Sequence, residues 1–370
     1  MEHFRNLYVH FPFCEAKCHY CDFFSLPEQK HSDTERARIY QAILRERQQF
    51  SIDEIDTIFL GGGTPSLVPT ECLAELMQSL HLTSLSEVTM EANPSSITKE
   101  KALEWKKIGV NRVSMGMQAL NDTRLEWLGR VHDKKSIFHA LDSLFEAGIE
   151  RISADYIIGV PGQTSEIIRS EIAELFQAFP KLEHVSAYLL TLHSSNKKFK
   201  ELLGEEEQLA QLETTAQTLL ERGLEQYEIS NFAKPGKEAR HNQNYWLGGS
   251  YLGLGPSAHS FHASTKKRVK NWASLGKYAE KIEAQQSAEE WNETITPEQE
   301  RIEYLMLRLR RREGLSLQEY NARFDRDLAS EKASLLAKFL EQDLARLEED
   351  HLRLTPRGFF LSDPLISKLV

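Results

Sequence analysis

From the start of the chain to about residue 200, short aliphatic and β-branched runs alternate with longer segments of helical periodicity. The runs are Leu7–Val9, Thr57–Leu60, Glu87–Met90, Arg112–Met115, Ile152–Ile158 and Val185–Leu190. Between them, Asp33–Phe50, Thr70–Leu80, Thr98–Ile108, Ser136–Ala147 and Thr164–Phe179 place apolar residues at helical spacing. Six βα units in series predict an α/β chain with a parallel sheet, either doubly wound or curled into a partial (β/α)6 TIM-like barrel. Residues 204–223 read as one more charged amphipathic helix, after which the chain is loop-rich and aromatic to about residue 262. The polar stretch Lys266–Gln299 reads as a connector. From Thr296 the helical runs Pro297–Arg312, Leu317–Phe324 and Ala329–Glu349 lead into HLRLTPRGFFLS, which reads as a short strand pair. Helices followed by a small hairpin predict a mostly helical, winged-helix-like appendage. The expected division is a barrel over 1–225, an aromatic extension and linker over 226–295, and a C-terminal domain over 296–370.

Charge and cysteine content narrow this picture. Lys plus Arg number 45 against 55 Asp plus Glu, a formal charge of -10, which disfavours nonspecific nucleic-acid binding because that rests on basic surface. No apolar run approaches the length of a membrane span. The opening MEHFRNLYVHFPFC has neither a continuous apolar core nor a small-residue cleavage site, so it reads as a first strand and a cytoplasmic protein is expected. Of four cysteines, three fall within FCEAKCHYC. Clustered thiols in a reducing compartment point to metal, not to a disulfide scaffold.

Cys14, Cys18 and Cys21 are spaced C-x3-C-x2-C. Thiolates are soft ligands suited to zinc and to iron–sulfur clusters. Structural zinc takes four protein ligands, and here only three thiols are close, so a zinc site would need His10 or His19. Cys72, in TECLAELM, reads as a small residue packed into a helix. Three thiolates on a four-iron cluster leave one iron open to a further ligand.

Other polar marks recur where a barrel of this kind would set them, at or near the C-terminal ends of strands. Gly61-Gly62-Gly63-Thr64-Pro65 follows the second strand; glycine lets the backbone approach a ligand and leaves amides free to bind it, although alone the run is equally a tight turn. Glu91 ends the third strand, Gln118 follows the fourth, Asp155 lies in the fifth, and Arg130 stands in LGRVH. Carboxylates on parallel strands are uncommon because both faces are usually buried; each can equally be a structural hydrogen-bonding group.

The cysteine spacing just after a first strand resembles the radical S-adenosylmethionine superfamily. The resemblance extends over nearly the whole chain through YVHFPFCEAKCHYCDF, FLGGGTPS, MEANPSS, VSMGMQALN, DYIIGVPGQT, YEISNFAKPG, RHNQNYW and YLGLGPSAHSF. It points to the oxygen-independent coproporphyrinogen III oxidase group. By that resemblance the fold is a radical SAM barrel. Cys14, Cys18 and Cys21 would hold a [4Fe–4S] cluster, and S-adenosylmethionine would chelate its open iron. Tyr20 would lie near the adenine, and Tyr8, Gly62, Gly63, Thr64, Glu91, Gln118, Arg130 and Asp155 fall on cofactor-contacting positions.

Three features favour the haem-chaperone branch of that group over its decarboxylating enzymes. Phe23 stands where the enzymes carry a further cysteine, only 13 residues precede Cys14, and His241, Asn242, Tyr245 and Trp246 match H-N-x-x-Y-W. Histidine is a common axial ligand to haem iron, aromatic rings can pack on porphyrin, and Arg240 could pair with a propionate. A histidine beside Asn and aromatics also suits a structural loop. After the sixth strand the chain reads LLTLHSSNKKF, with His193 near a position that is usually acidic in relatives.

The leading expectation is therefore a haem-binding chaperone that uses the cluster and S-adenosylmethionine to deliver haem to haem-requiring clients. Expected partners are a flavodoxin- or ferredoxin-like electron donor and, peripherally, a membrane, with no nucleic acid. The alternatives are radical decarboxylation of coproporphyrinogen III propionates and, from another class, a zinc-stabilised interaction protein.

Overall fold

A computed structural model describes residues 4–52 and 54–370; Met1–His3, at the start of the expected first strand, and Asp53 lie outside the described residues. All six expected strands form: β1 (Asn6–Phe11), β2 (Ile55–Gly62), β3 (Leu82–Ala92), β4 (Arg112–Gln118), β5 (Arg151–Ile158) and β6 (His184–Leu189). The chain divides into two compact units. One comprises residues up to 156, 191–199 and 249–294; the other comprises 157–190, 200–248 and 295–370.

In the first unit β1 through β5 pair in sequence order, all parallel, with Leu7 opposite Ile58, Ile58 opposite Val88, Met90 opposite Val113 and Val113 opposite Ile152. One neighbour of β1 was not legible from periodicity: β7 (Leu252–Leu254) returns from late in the chain and pairs parallel to it, Val9 opposite Leu254. Leu7, Val9, Ile58, Leu60, Val88, Met90, Val113 and Met115 are buried on one side of the sheet, which is the strand alternation expected where helices cover a face. Helix starts follow local chemistry. Ser32 and Glu35 form a capping box on Asp33–Gln48, and Thr98, Asn121 and Asp133 cap the helices that follow them.

The expected polar connector at 266–299 is instead ordered. Strand Lys267–Asn271 lies between His259–His262 and Glu289–Thr294 in an antiparallel sheet, with helix Leu275–Glu283 intervening. Its polar look comes from cross-strand ion pairs such as Arg268–Glu293 at 2.9 Å. The helix is anchored by Tyr278, whose hydroxyl donates to Glu46 Oε2 at 2.6 Å. Glu46 is buried and also accepts from Gly255 N–H and Asn271 Nδ2, each at 2.7 Å.

In the second unit β6 pairs antiparallel with Asn231–Ala233, which pairs in turn with Glu225–Gln226. Helix Ser165–Ala178 packs on Glu205–Leu220. The C-terminal part is mostly helical around a core that includes Leu305, Leu309, Tyr320, Leu352 and Leu369. Its hairpin joins Ala345–Glu348 to His351–Leu354, so only HLRL of the expected strand pair is a strand. TPRGFF is a helix start: Thr355 Oγ1 accepts from Gly358 N–H, and Pro356 takes the first helical position, where its missing N–H costs nothing. Among the described residues no helix is long and apolar enough to cross a membrane.

Candidate functional site

The cysteine loop leaves β1 through Phe13–Cys14, which pairs with Leu26–Pro27. Cys14, Cys18 and Cys21 are half-buried free thiols, and Cys21 N–H closes a turn on Cys18 O at 3.2 Å. Burial pushes the Cys14 thiol up, hydrogen bonds to Thr64 and Ser25 oppose this, and Cys21 and Cys18 add to it. The three sulfurs therefore share one electrostatic neighbourhood. Among the described residues, no three or more His, Cys, Asp or Glu side chains close on the volume of a single ion. Three free, half-buried thiols on one loop are the soft donor set that an iron–sulfur cluster takes. Cys72 lies on helix Thr70–Gln78, its thiol raised by burial and by Glu75 and Glu71.

Of the two nearby histidines, His10 has both ring nitrogens engaged and His19 has one. His10 is buried; its Nε2 donates to Phe24 O at 2.7 Å, so Nδ1 accepts from the Tyr8 hydroxyl at 3.0 Å. Burial holds it neutral, its pKa down to about 4. His19 Nε2 donates to Trp127 O at 2.6 Å, and its Nδ1 is buried without a partner.

The triple glycine does something other than present free amides. Gly62 N–H donates to Glu91 Oε2 at 3.1 Å, Gly63 N–H to Phe11 O and Thr64 N–H to Phe13 O, both at 2.7 Å. The turn thus laces the root of the cysteine loop to the end of β2. Glycine is needed because a Cβ on Gly63 would stand 2.4 Å from Phe13 O, and Gly62 has φ +104°. Thr64 also accepts from Asn93 Nδ2 at 3.1 Å.

Beside this turn the strand ends carry an open face. Along β4, Val113, Met115 and Met117 are buried while Ser114, Gly116 and Gln118 keep accessible surface. Tyr8 on β1, Glu91 on β3 and Asp155 on β5 are likewise partly open although walled by protein. Lower on β3, buried Glu87 pairs with Arg151 at 2.6 Å, so the open positions lie toward the C-terminal ends. Ser114 Oγ donates to Asp155 Oδ2 at 2.9 Å and Ser153 Oγ to Oδ1 at 3.1 Å. Burial and the nearby Asp155 push the Glu91 carboxyl up to about 8 against the Gly62 N–H. Burial and Glu91 raise the Tyr8 phenol. Gln118 ends β4 at a bulge with φ +68°, a backbone state uncommon for residues other than glycine.

Arg130 reaches the cysteines from the other side. Its Nη1 donates to Cys18 Sγ at 3.5 Å and its Nη2 to Asn93 Oδ1 at 2.5 Å. Burial works against its charge, but Tyr20 and Cys18 outweigh this and raise its pKa. Tyr20 is raised by burial despite Arg130. Tyr20, Cys18, Arg130 and Asn93 are thereby linked, and Asn93 connects them to Thr64. Asn93, Ser114 and Ser153 were not singled out from sequence; Asn93 directly follows a strand end, whereas Ser114 and Ser153 lie within their strands.

His241 is in the second unit, on helix Arg240–Trp246, and is wholly buried. Its Nε2 pairs with the Tyr245 hydroxyl at 2.8 Å, the rings edge to face, and burial lowers its pKa to about 3. Arg240 is exposed and Asn242, Tyr245 and Trp246 are half-buried. A small polar recess on this helix is lined by Tyr227, Glu228, Gln243, Trp246 and Arg311. Glu228 is pushed up to about 7 by burial against donors from Ser230, Asn231 and Trp246.

A parallel-sheet core with a three-cysteine loop at its first strand and a helical C-terminal region is the architecture of radical SAM proteins of the HemN type. Residues 8–171 match the Radical SAM superfamily and residues 295–361 the HemN C-terminal domain. In overall fold the chain superposes over its full length on 90% of the coproporphyrinogen III oxidase HemN from Escherichia coli, with a TM-score of 0.83 at 21% identity. It is 32% identical to a Bacillus subtilis protein named heme chaperone HemW over 97% of both chains. It is 30% identical to the Lactococcus lactis protein of that name, over 99% of this chain and 97% of that one. The chain belongs to the HemW family.

Proposed function

We propose that this chain is a haem-binding chaperone that carries a [4Fe–4S] cluster on Cys14, Cys18 and Cys21, binds S-adenosylmethionine on the open strand face, and hands haem to client proteins. The observation that carries the reading is the near full-length likeness to proteins named heme chaperones. Phe23, in place of the further cysteine expected of decarboxylating relatives, agrees with it. When bound, the cluster would supply an electron to the sulfonium cofactor, delivered by a flavodoxin- or ferredoxin-like carrier.

The chain's own residues have definable tasks in this account. Glu91 and Asp155 offer carboxylates to an ammonium or hydroxyl group, Asp155 already accepting from Ser114 and Ser153. Tyr20 offers an aromatic wall to the adenine. Arg130 places a cation beside the Cys18 sulfur, and Gln118, fixed by its bulge, presents an amide. Thr64 and Gly63 hold the loop root in register with Glu91.

Haem is assigned to helix Arg240–Trp246. His241 is neutral, the form that ligates iron, but its ring is enclosed, so ligation requires that Tyr245 release it and the helix open. The test is a haem titration of anaerobically purified protein and of His241→Ala. Weaker binding with a changed visible spectrum is expected of the variant. Unchanged binding would remove His241 from the site, and conversion of coproporphyrinogen III under reducing conditions would replace the chaperone reading with the enzymatic one.

A further inference from the structure

The segment Thr191–Phe199 after β6 belongs to the same compact unit as the cysteine loop. Of residues 193–199 only Asn196 and Lys198 are half-buried; the others are exposed. Asn196 Nδ2 donates to His19 O at 3.0 Å. Lys198 Nζ donates to Trp127 O at 2.5 Å and lies 4.4 Å from the centre of the Trp127 ring, a cation–π arrangement. His19 Nε2 donates to that same carbonyl at 2.6 Å, and its ring meets Trp127 edge to face at 5.2 Å. Asn196 Oδ1 in turn accepts from Lys198 N–H at 3.0 Å, fixing the two residues relative to each other.

His19 stands between Cys18 and Tyr20, and Trp127 is three residues before Arg130, whose guanidinium reaches Cys18. Within the cysteine loop the backbone bonds Cys21 N–H to Cys18 O and Leu26 N–H to Pro12 O, and ties from outside the loop add to these in fixing its shape. We propose that Asn196 and Lys198 are positioning residues: together they clasp His19 and Trp127, hold Cys18 beneath Arg130, and slow the loss of a cluster bound at the three cysteines. The inference rests on the cluster reading above.

The test compares Asn196→Ala, Lys198→Ala and Lys198→Arg with wild type, with Lys197→Ala, an exposed neighbour, as control. After anaerobic reconstitution the decay of visible cluster absorbance is followed on exposure to air and, separately, to an iron chelator. The two clasp-breaking variants should lose absorbance about fivefold faster, the factor expected for removing one ordinary hydrogen bond. Lys198→Arg, which keeps charge and donors, should recover most of the wild-type rate, and Lys197→Ala should match it. In parallel, chymotryptic cleavage after the exposed Phe23 is timed on the metal-free chain, where the same variants should be cut faster. Wild-type rates for both alanine variants in these assays, or an equal acceleration in Lys197→Ala, would overturn the clasp. If wild type itself takes up no cluster, the cluster reading fails and the cleavage rates alone decide the clasp.

Discussion

Binding of S-adenosylmethionine should be strongly pH-dependent through Glu91. In the ligand-free protein burial and Asp155 hold this carboxyl near 8, so at pH 6 to 7 it is mostly protonated. A bound ammonium group would favour the ionised form and return the pKa toward the ordinary carboxylate range, near 4.3. Affinity must then rise with pH until Glu91 is ionised in the free protein as well, by up to about tenfold per pH unit below 8. Between pH 6 and pH 8 the expected gain in affinity is on the order of 50-fold, with uptake of ligand releasing up to about one proton at pH 6 to 7. Isothermal titration in buffers of different ionisation enthalpy reads both the dissociation constant and the protons released. Glu91→Gln should bind weakly and lose the slope. A pH-independent Kd, or the same slope in Glu91→Gln, would refute the assignment of this carboxylate to the cofactor.

Two further outcomes test the scaffold. Gly63→Ala places a Cβ against the carbonyls of Phe13 and Phe11; it should cost about 1–3 kcal/mol of stability and lower the iron bound per chain. An unchanged Tm with full iron content would contradict the lacing of the loop root. Tyr278→Phe removes one of three donors on the buried Glu46 carboxyl and should destabilise the chain by about 1.5–3 kcal/mol, read by urea unfolding. A loss below about 0.5 kcal/mol would show that the remaining donors suffice.

The six core strands and most helices were legible because periodicity and caps act locally: Ser32 with Glu35, or Thr164 before Ser165–Ala178, announce a helix by themselves. The cysteines were legible by spacing. What escaped depends on distant residues. β7 is a three-residue strand whose partner β1 lies more than 200 positions earlier. The 266–299 stretch hid its structure because its apolar content is concentrated in few anchors such as Tyr278 and Ile282, while its strands satisfy charge with charge. The amides of Gly62, Gly63 and Thr64 are not free: Glu91, Phe11 and Phe13 take them, and nothing local distinguishes those acceptors from a ligand. His241 shows the converse: its motif suggested an available ligand, and packing against Tyr245 enclosed it.

The central claim is that this chain binds haem as cargo while carrying an iron–sulfur cluster. Anaerobic reconstitution followed by haem titration and addition of a haem-free acceptor protein tests both parts at once. The account predicts about four irons bound per chain in the cluster, saturable haem binding, and passage of that haem to the acceptor with the cluster retained. Absence of saturable haem binding to the cluster-loaded protein would contradict it.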